Sequence, residues 1–151
     1  MAQALTMSFG KCMIMLGDGA SSEVFTAPCG FSELTMTINI ESNTVNIPDC
    51  DDPDLAAWLA TDIVSQQMTL QGSGVLDKNA MQTWQAWWFD AGAAEKNVRW
   101  FRDLSSGEGG GYFQAPAVLT AYEETGSRGQ RWQNSVGIAL NGKPSWTPGN
   151  S

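Results

Sequence analysis

From Glu33 to Glu41 the chain alternates strictly. Leu34, Met36, Ile38 and Ile40 fall on one face, and Thr35, Thr37, Asn39 and Glu41 on the other. This period of two predicts a half-buried strand. Ile63 to Gln71 repeats the pattern, with Val64, Gln66, Met68 and Leu70 set against Ser65, Gln67, Thr69 and Gln71. Gly72-Ser73-Gly74 reads as the break that ends it. Asp77 then stands where an N-cap belongs, because its carboxylate can accept the free amide hydrogens of a first helical turn. From there Met81, Trp84, Trp88 and Ala91 recur at helical spacing, with Trp87 widening the stripe and Gly92 as the stop. The spacing predicts one helix over 77–91, with Met81, Trp84 and Trp88 as its core face. A lone helix with that much aromatic surface needs a sheet to cover it.

The remaining elements read as short strands. Phe9–Leu16 and Glu23–Cys29 come first, and Asn97–Leu104 follows the helix. Ser105–Gly111 is a glycine-rich tip. In Tyr112–Thr125, Val118, Thr120 and Tyr122 alternate with Leu119, Ala121 and Glu123. Arg131–Asn141 places Trp132, Val136, Ile138 and Leu140 on a core face, opposite Gln133, Ser135, Gly137, Ala139 and Asn141. Trp100 joins the expected core, and residues 142–151 read as an irregular C-terminal tail. Residues 42–62 read as an extended acidic loop that tucks Trp58 inward through a short helical turn. The class is mainly β: a single domain over 1–151, an antiparallel β-sandwich or partly open barrel with one flanking α-helix.

Charge sharpens this picture. The two alternating strands have polar faces of hydroxyls and amides, where a solvated face usually carries lysine and glutamate, so this surface is expected to have a task. Net charge is −8, and it is unevenly placed. Up to Asp77 ten acidic residues face Lys11 alone; from Lys78 onward seven basic residues face six acidic ones. Such polarity fits an assembling subunit, and equally a plain solvated acidic face. Cys12, Cys29 and Cys50 form no CxxC spacing and read as reduced thiols of a cytoplasmic product. The opening residues lack the plan of a signal peptide. No apolar run approaches the roughly 20 residues that cross a bilayer, so no membrane anchoring is expected.

The chain has no histidine. That removes the commonest general base and metal ligand, and with them every Ser-His or Cys-His pair. The carboxylates at Asp49, Asp51, Asp52 and Asp54 crowd a hydrophilic turn, with no apolar pocket to drive their pKa values apart. DCDDPD lacks the glycine and distal glutamate of an EF-hand. GEGGG precedes a strand and carries no lysine, so it is no phosphate loop. No catalytic residue, cofactor or metal site is expected. Seven tryptophans on a β-sandwich leave a carbohydrate-binding module as the alternative, although five of them fall on core faces and only Trp58 and Trp146 look free.

ELTMTINIES, a long loop and then IVSQQMTLQGSGVLDKNAMQTWQAWW resemble the lumen hairpin and single helix of the major tail proteins, or tail tube proteins, of long-tailed bacteriophages and gene transfer agents. VRWF and GYFQAPAVLTAYEETGSRGQRWQNSVGIALNGKPSW resemble that family's C-terminal half, so the likeness spans about residues 8 to 146. It implies a structural, non-enzymatic subunit that closes with its neighbours into an inter-subunit β-barrel ring. Rings of six would stack into a tube for double-stranded DNA, in a virion tail assembled in the host cytoplasm. Implied partners are further copies of the chain, a tail terminator, tail-tip or baseplate proteins and a tape measure, with DNA passing without specific binding. Under this reading Thr35, Thr37, Asn39, Glu41, Ser65, Gln67, Thr69 and Gln71 line the lumen. The loop residues Ile47, Asp49, Asp51, Asp52, Asp54, Leu55 and Trp58 would contact a neighbour, in the next ring, and be poorly ordered in a free monomer. Arg99, Arg102, Arg128 and Arg131 are the basic partners available to the aspartates.

Overall fold

A computed structural model describes residues 2–19, 22–90 and 95–149. Eight strands follow in chain order: β1 (Cys12–Gly17), β2 (Phe25–Thr26), β3 (Phe31–Ile47), β4 (Trp58–Val75), β5 (Lys96–Arg102), β6 (Gly111–Thr125), β7 (Gln133–Leu140) and β8 (Ser145–Pro148). The helix α1 (Lys78–Gln85) continues into a π-helical turn at Ala86–Asp90. All pairings are antiparallel, in one open sheet of order β2-β1-β5-β6-β7-β4-β3, with β8 on β6. The class is therefore the expected one, mainly antiparallel β with one helix. The sheet does not close on itself within the subunit.

β6 joins the two halves. Its first residues pair with β5, as far as Ala117 opposite Lys96, and its later ones with β7. Both halves contribute to a single core: Ile14, Leu16, Val98 and Trp100 from one, and Met68, Leu70, Val136, Ile138 and Leu140 from the other. The helix lies over the second half. Asp77 caps it as expected, accepting from the Asn79 amide at 3.2 Å. Trp84 is fully buried, with ring contacts to Phe31 at 6.1 Å and to Tyr122 at 6.3 Å.

Several expectations are corrected. Trp88 is 45% exposed and packs on Phe89, whereas Trp87 is buried and stacks on Trp84. The turn after Gln85 winds i→i+5, which rotates later residues back from α-helical phase and hands the core position to Trp87. Met81 is only half-buried, and the expected Ala91 and Gly92 end of the helix lies outside the described residues. Gly72-Ser73-Gly74 does not break β4. A Cβ at Gly72 would sit 3.0 Å from the Phe31 ring, so the glycine admits a close neighbour instead of a turn. Trp132 is 59% exposed, ahead of β7, where its ring covers Gly126. A register shift between Leu119 and Ala121 turns both Leu119 and Tyr122 toward the core, against strict alternation. The tail is not wholly irregular either, because Ser145–Pro148 pairs with Gly111–Gln114 and Trp146 packs on Phe113 at 4.6 Å.

The largest correction concerns residues 42–62. β3 and β4 stay paired out to Ile47 and Trp58, so only 48–57 is a loop. Because β4 meets β7 only from Thr69 onward, the hairpin beyond Thr37 projects past the rest of the sheet as an arm. Trp58 is not tucked inward; it is 85% exposed near the arm's end.

Candidate functional site

The structure brings the eight polar strand residues together. β3 and β4 pair Thr35 with Gln71, Thr37 with Thr69, Asn39 with Gln67, and Glu41 with Ser65. Side chains directly opposite in an antiparallel pair share a face, so these residues form four rungs of one polar ladder. Two side-chain bonds tie it: Ser65 Oγ donates to Glu41 at 3.3 Å, and Thr69 Oγ1 donates to the Thr37 carbonyl at 3.4 Å. The opposite faces of the same stretches carry Leu34, Met36, Met68 and Leu70 into the core. Burial of that set fixes the register, since a slip of one residue would exchange the faces.

The ladder continues across two more strands. Gln71 faces Gly137 and Gly137 faces Ala121; Ser73 faces Ser135 and Ser135 faces Glu123. Glu33, Thr35, Gln71, Ser73, Ala121 and Gly137 are among the residues lining a shallow depression of about 240 Å³ across the four strands. Ser73, Ala121, Glu123, Ser135 and Gly137 thus belong to the same surface. The alternation of Ala121, Glu123, Ser135 and Gly137 was visible in the sequence, but nothing there shows that β6 and β7 lie beside β4.

Electrostatics set this surface apart. All eight lysines and arginines of the chain lie outside β3, β4, β6 and β7. Those strands do carry Glu33, Glu41, Asp62, Glu123 and Glu124, so the four-stranded face is neutral to acidic throughout. Tyr122, on the helix side, is held neutral, because burial pushes its hydroxyl above the ordinary phenol range and the charge of Glu124 adds to that.

The loop aspartates satisfy their own turn. Asp49 Oδ1 accepts from the amides of Asp51 at 2.8 Å and Asp52 at 3.2 Å, and Asp52 Oδ1 accepts from Asp54 at 3.3 Å. The tip is therefore an Asx-turn structure rather than a loose coil. Beside it, Val45 pairs with Ala60 and Ile47 with Trp58, so these four share one face of the arm. Of the proposed basic partners, Arg128 and Arg131 are exposed at the β6–β7 connection. Arg99 is engaged within the subunit. Its guanidinium lies 3.7 Å from the Phe25 ring and 4.2 Å from Tyr112, and Nε donates to Gln114 at 2.9 Å. Arg102 sits over Phe113 and Trp146 at 5.5 and 5.7 Å.

The exposed tryptophans make no platform. Trp58, Trp88, Trp132 and Trp146 lie on the arm, the helix, a turn and β8.

A family model described as phage tail tube protein matches residues 6–146. No curated protein sequence matches the chain. Among solved structures it is similar to a chain in the tail of an empty gene transfer agent particle refined with helical and C6 symmetry. That likeness has a TM-score of 0.73 at 17% identity, over 94% of this chain and 99% of the other. A chain in the virion of a native gene transfer agent gives 0.70 at 16%, over 94% and 99%. The SPP1 tail tube gives 0.60 at 9%, over 97% and 81%. At these identities the likeness establishes a shared fold.

Proposed function

The chain belongs to the phage tail tube protein family, and from that membership we propose that it forms six-membered rings stacked head to tail into a hollow tube conducting double-stranded DNA. The carbohydrate-binding reading has no further support. One observation carries the proposal: a four-stranded sheet with a continuous polar face, free of lysine and arginine, and an apolar face under a helix. The C6 symmetry of the gene transfer agent tail supports the ring number.

Closure is geometrically sensible. Six copies of four strands give roughly 24 strands, which at about 4.8 Å spacing and about 40° tilt close at about 45–50 Å backbone diameter. Side chains of about 5 Å on each wall leave room for a duplex. A lining without cations suits passage, because each lysine or arginine would bind phosphate and release counterions, acting as a brake. Thr35, Thr37, Asn39, Glu41, Ser65, Gln67, Thr69 and Gln71 would then line the lumen. The arm tip, with Ile47, Leu55 and Trp58 beside its aspartates, would reach a neighbouring subunit in the next ring, with Arg128 and Arg131 as its exposed basic partners. The virion tail is the site of action. A terminator, tail-tip or baseplate proteins and a tape measure are the expected company.

Cysteines placed at Thr37 and Gln67, with the native thiols removed, test the lining. In assembled tubes a small maleimide should label both, whereas a bulky one should label only open ends. Equal labelling by both reagents puts this face outside and ends the lumen assignment.

A further inference from the structure

The edges of the polar sheet say how one subunit meets the next within a ring. β6 pairs with β5 only as far as Ala117, so along 118–125 its edge away from β7 has no strand partner among the described residues. At the opposite side, β3 is the last strand of the sheet. The four strands alternate in direction from β6 to β3. Their number is even, so a copy rotated about a common axis presents its β6 antiparallel to β3.

We infer that residues 36–43 of β3, most of them in the projecting arm, are the strand that completes the free 118–125 edge of β6 in a second copy of this chain. The inference rests on the ring reading above and adds its register. Within one subunit the row through Thr35 ends at Ala121. Four strands span about 19 Å, so a tilt of about 40° displaces the neighbour's row by about 16 Å, or about five residues along the strand. One direction would place the neighbour's Ala121 near residue 30, ahead of β3, leaving most of its edge uncovered. The other places it near residue 40, and the whole free edge finds strand. Side-chain parity narrows this further. Ala121 faces the polar side, so its opposite number is Asn39 or Glu41, not Ile40. The arm's length then has a reason: shear carries the neighbour's edge past the end of the subunit's own sheet.

The outer face agrees. Ile38 and Ile40 are 47% and 55% exposed, since β7 and the helix do not reach that part of the arm. Beside the free edge of β6, Trp88, Leu119, Thr120, Ala121 and Tyr122 line a groove of about 310 Å³. The pairing seats the two isoleucines of one copy toward Trp88, Leu119 and Tyr122 of the other. It also accounts for a half-exposed tryptophan beside a sheet edge.

In a background without native cysteines, Ala121→Cys is combined with Asn39→Cys or with Glu41→Cys, and assembled protein is oxidised. One of these pairs should give a covalent ladder reaching the hexamer on a non-reducing gel, while Ala121→Cys with Thr35→Cys should not. Rings or tubes that give no ladder with either pair overturn the inference alone. Failure of the parent chain to form rings overturns the reading beneath it and the inference together. Ile40→Asp, with the native thiols kept, should leave the subunit's circular dichroism unchanged and raise the concentration needed for assembly at least tenfold. Assembly at the parent concentration would likewise overturn it.

Discussion

Trp84→Ala should cost the subunit about 3–5 kcal/mol, the range for a large aromatic removed from a packed core. Trp84 is fully buried between the helix and the sheet, touching Phe31, Trp87 and Tyr122. A domain of this size holds only about 5–15 kcal/mol in total, so the variant should be largely insoluble or melt far below the parent. Trp84 Nε1 has no hydrogen-bond acceptor among the described residues. Trp84→Phe removes that orphaned donor together with part of the volume, and should lose less. Trp88→Ala provides the contrast. Its ring is nearly half exposed, so it should cost about 1 kcal/mol of hydrophobic burial and leave a folded subunit. Urea unfolding of the three variants checks the order. A Trp88→Ala protein less stable than Trp84→Ala would contradict the placement of Trp84 in the core and Trp88 at its edge.

Deleting Asp49–Asp54 should leave a folded subunit that no longer polymerises. The deletion falls within the 48–57 connection and spares both arm strands. Removing the tip takes away aspartates whose carboxylates already serve the turn, so the core is untouched. Ion pairs from the tip to exposed arginines such as Arg128 and Arg131 are worth under about 1 kcal/mol each. The main part would come from exposed apolar side chains, Val45, Ile47 and Trp58 on one face of the arm and Leu55 next to the deletion, which the deletion displaces. Each 1.4 kcal/mol lost per contact weakens association about tenfold, and a repeated contact multiplies that along the tube. Raising salt should slow assembly of the intact chain, since charge pairing steers encounter more than it adds affinity. Sedimentation of the deletion variant checks the claim; tubes of full length would reduce the tip to a solvated bulge.

The polar ladder was legible in the sequence because burial enforces alternation. Leu34, Met36, Met68 and Leu70 must reach the core, and their neighbours are thereby sent to the other face. The helix start was legible through Asp77, a local signal that tertiary packing did not override. The arm was not. Between 42–47 and 58–62 both faces are open, so no burial pattern marks these residues as strand, and the prolines at 48 and 53 belong to a connection of only 48–57. β8 was hidden for a similar reason: it is a short edge strand between prolines, and paired backbone leaves little trace in side-chain pattern. Trp88 was placed in the core beside Trp87 because a single π-helical turn breaks the assumed spacing. The lateral extension of the site through Ser135 and Glu123 depends on strand order, a long-range property with no local signature.

Electron microscopy of the purified chain, concentrated until it assembles, tests the central claim most directly. Rings with six-fold symmetry should appear, stacked into tubes with a stain-filled channel about 35–40 Å wide, as expected for roughly 24 tilted strands with side chains pointing inward. A chain that stays monomeric at every concentration and salt, or that forms filaments with no channel, would contradict it.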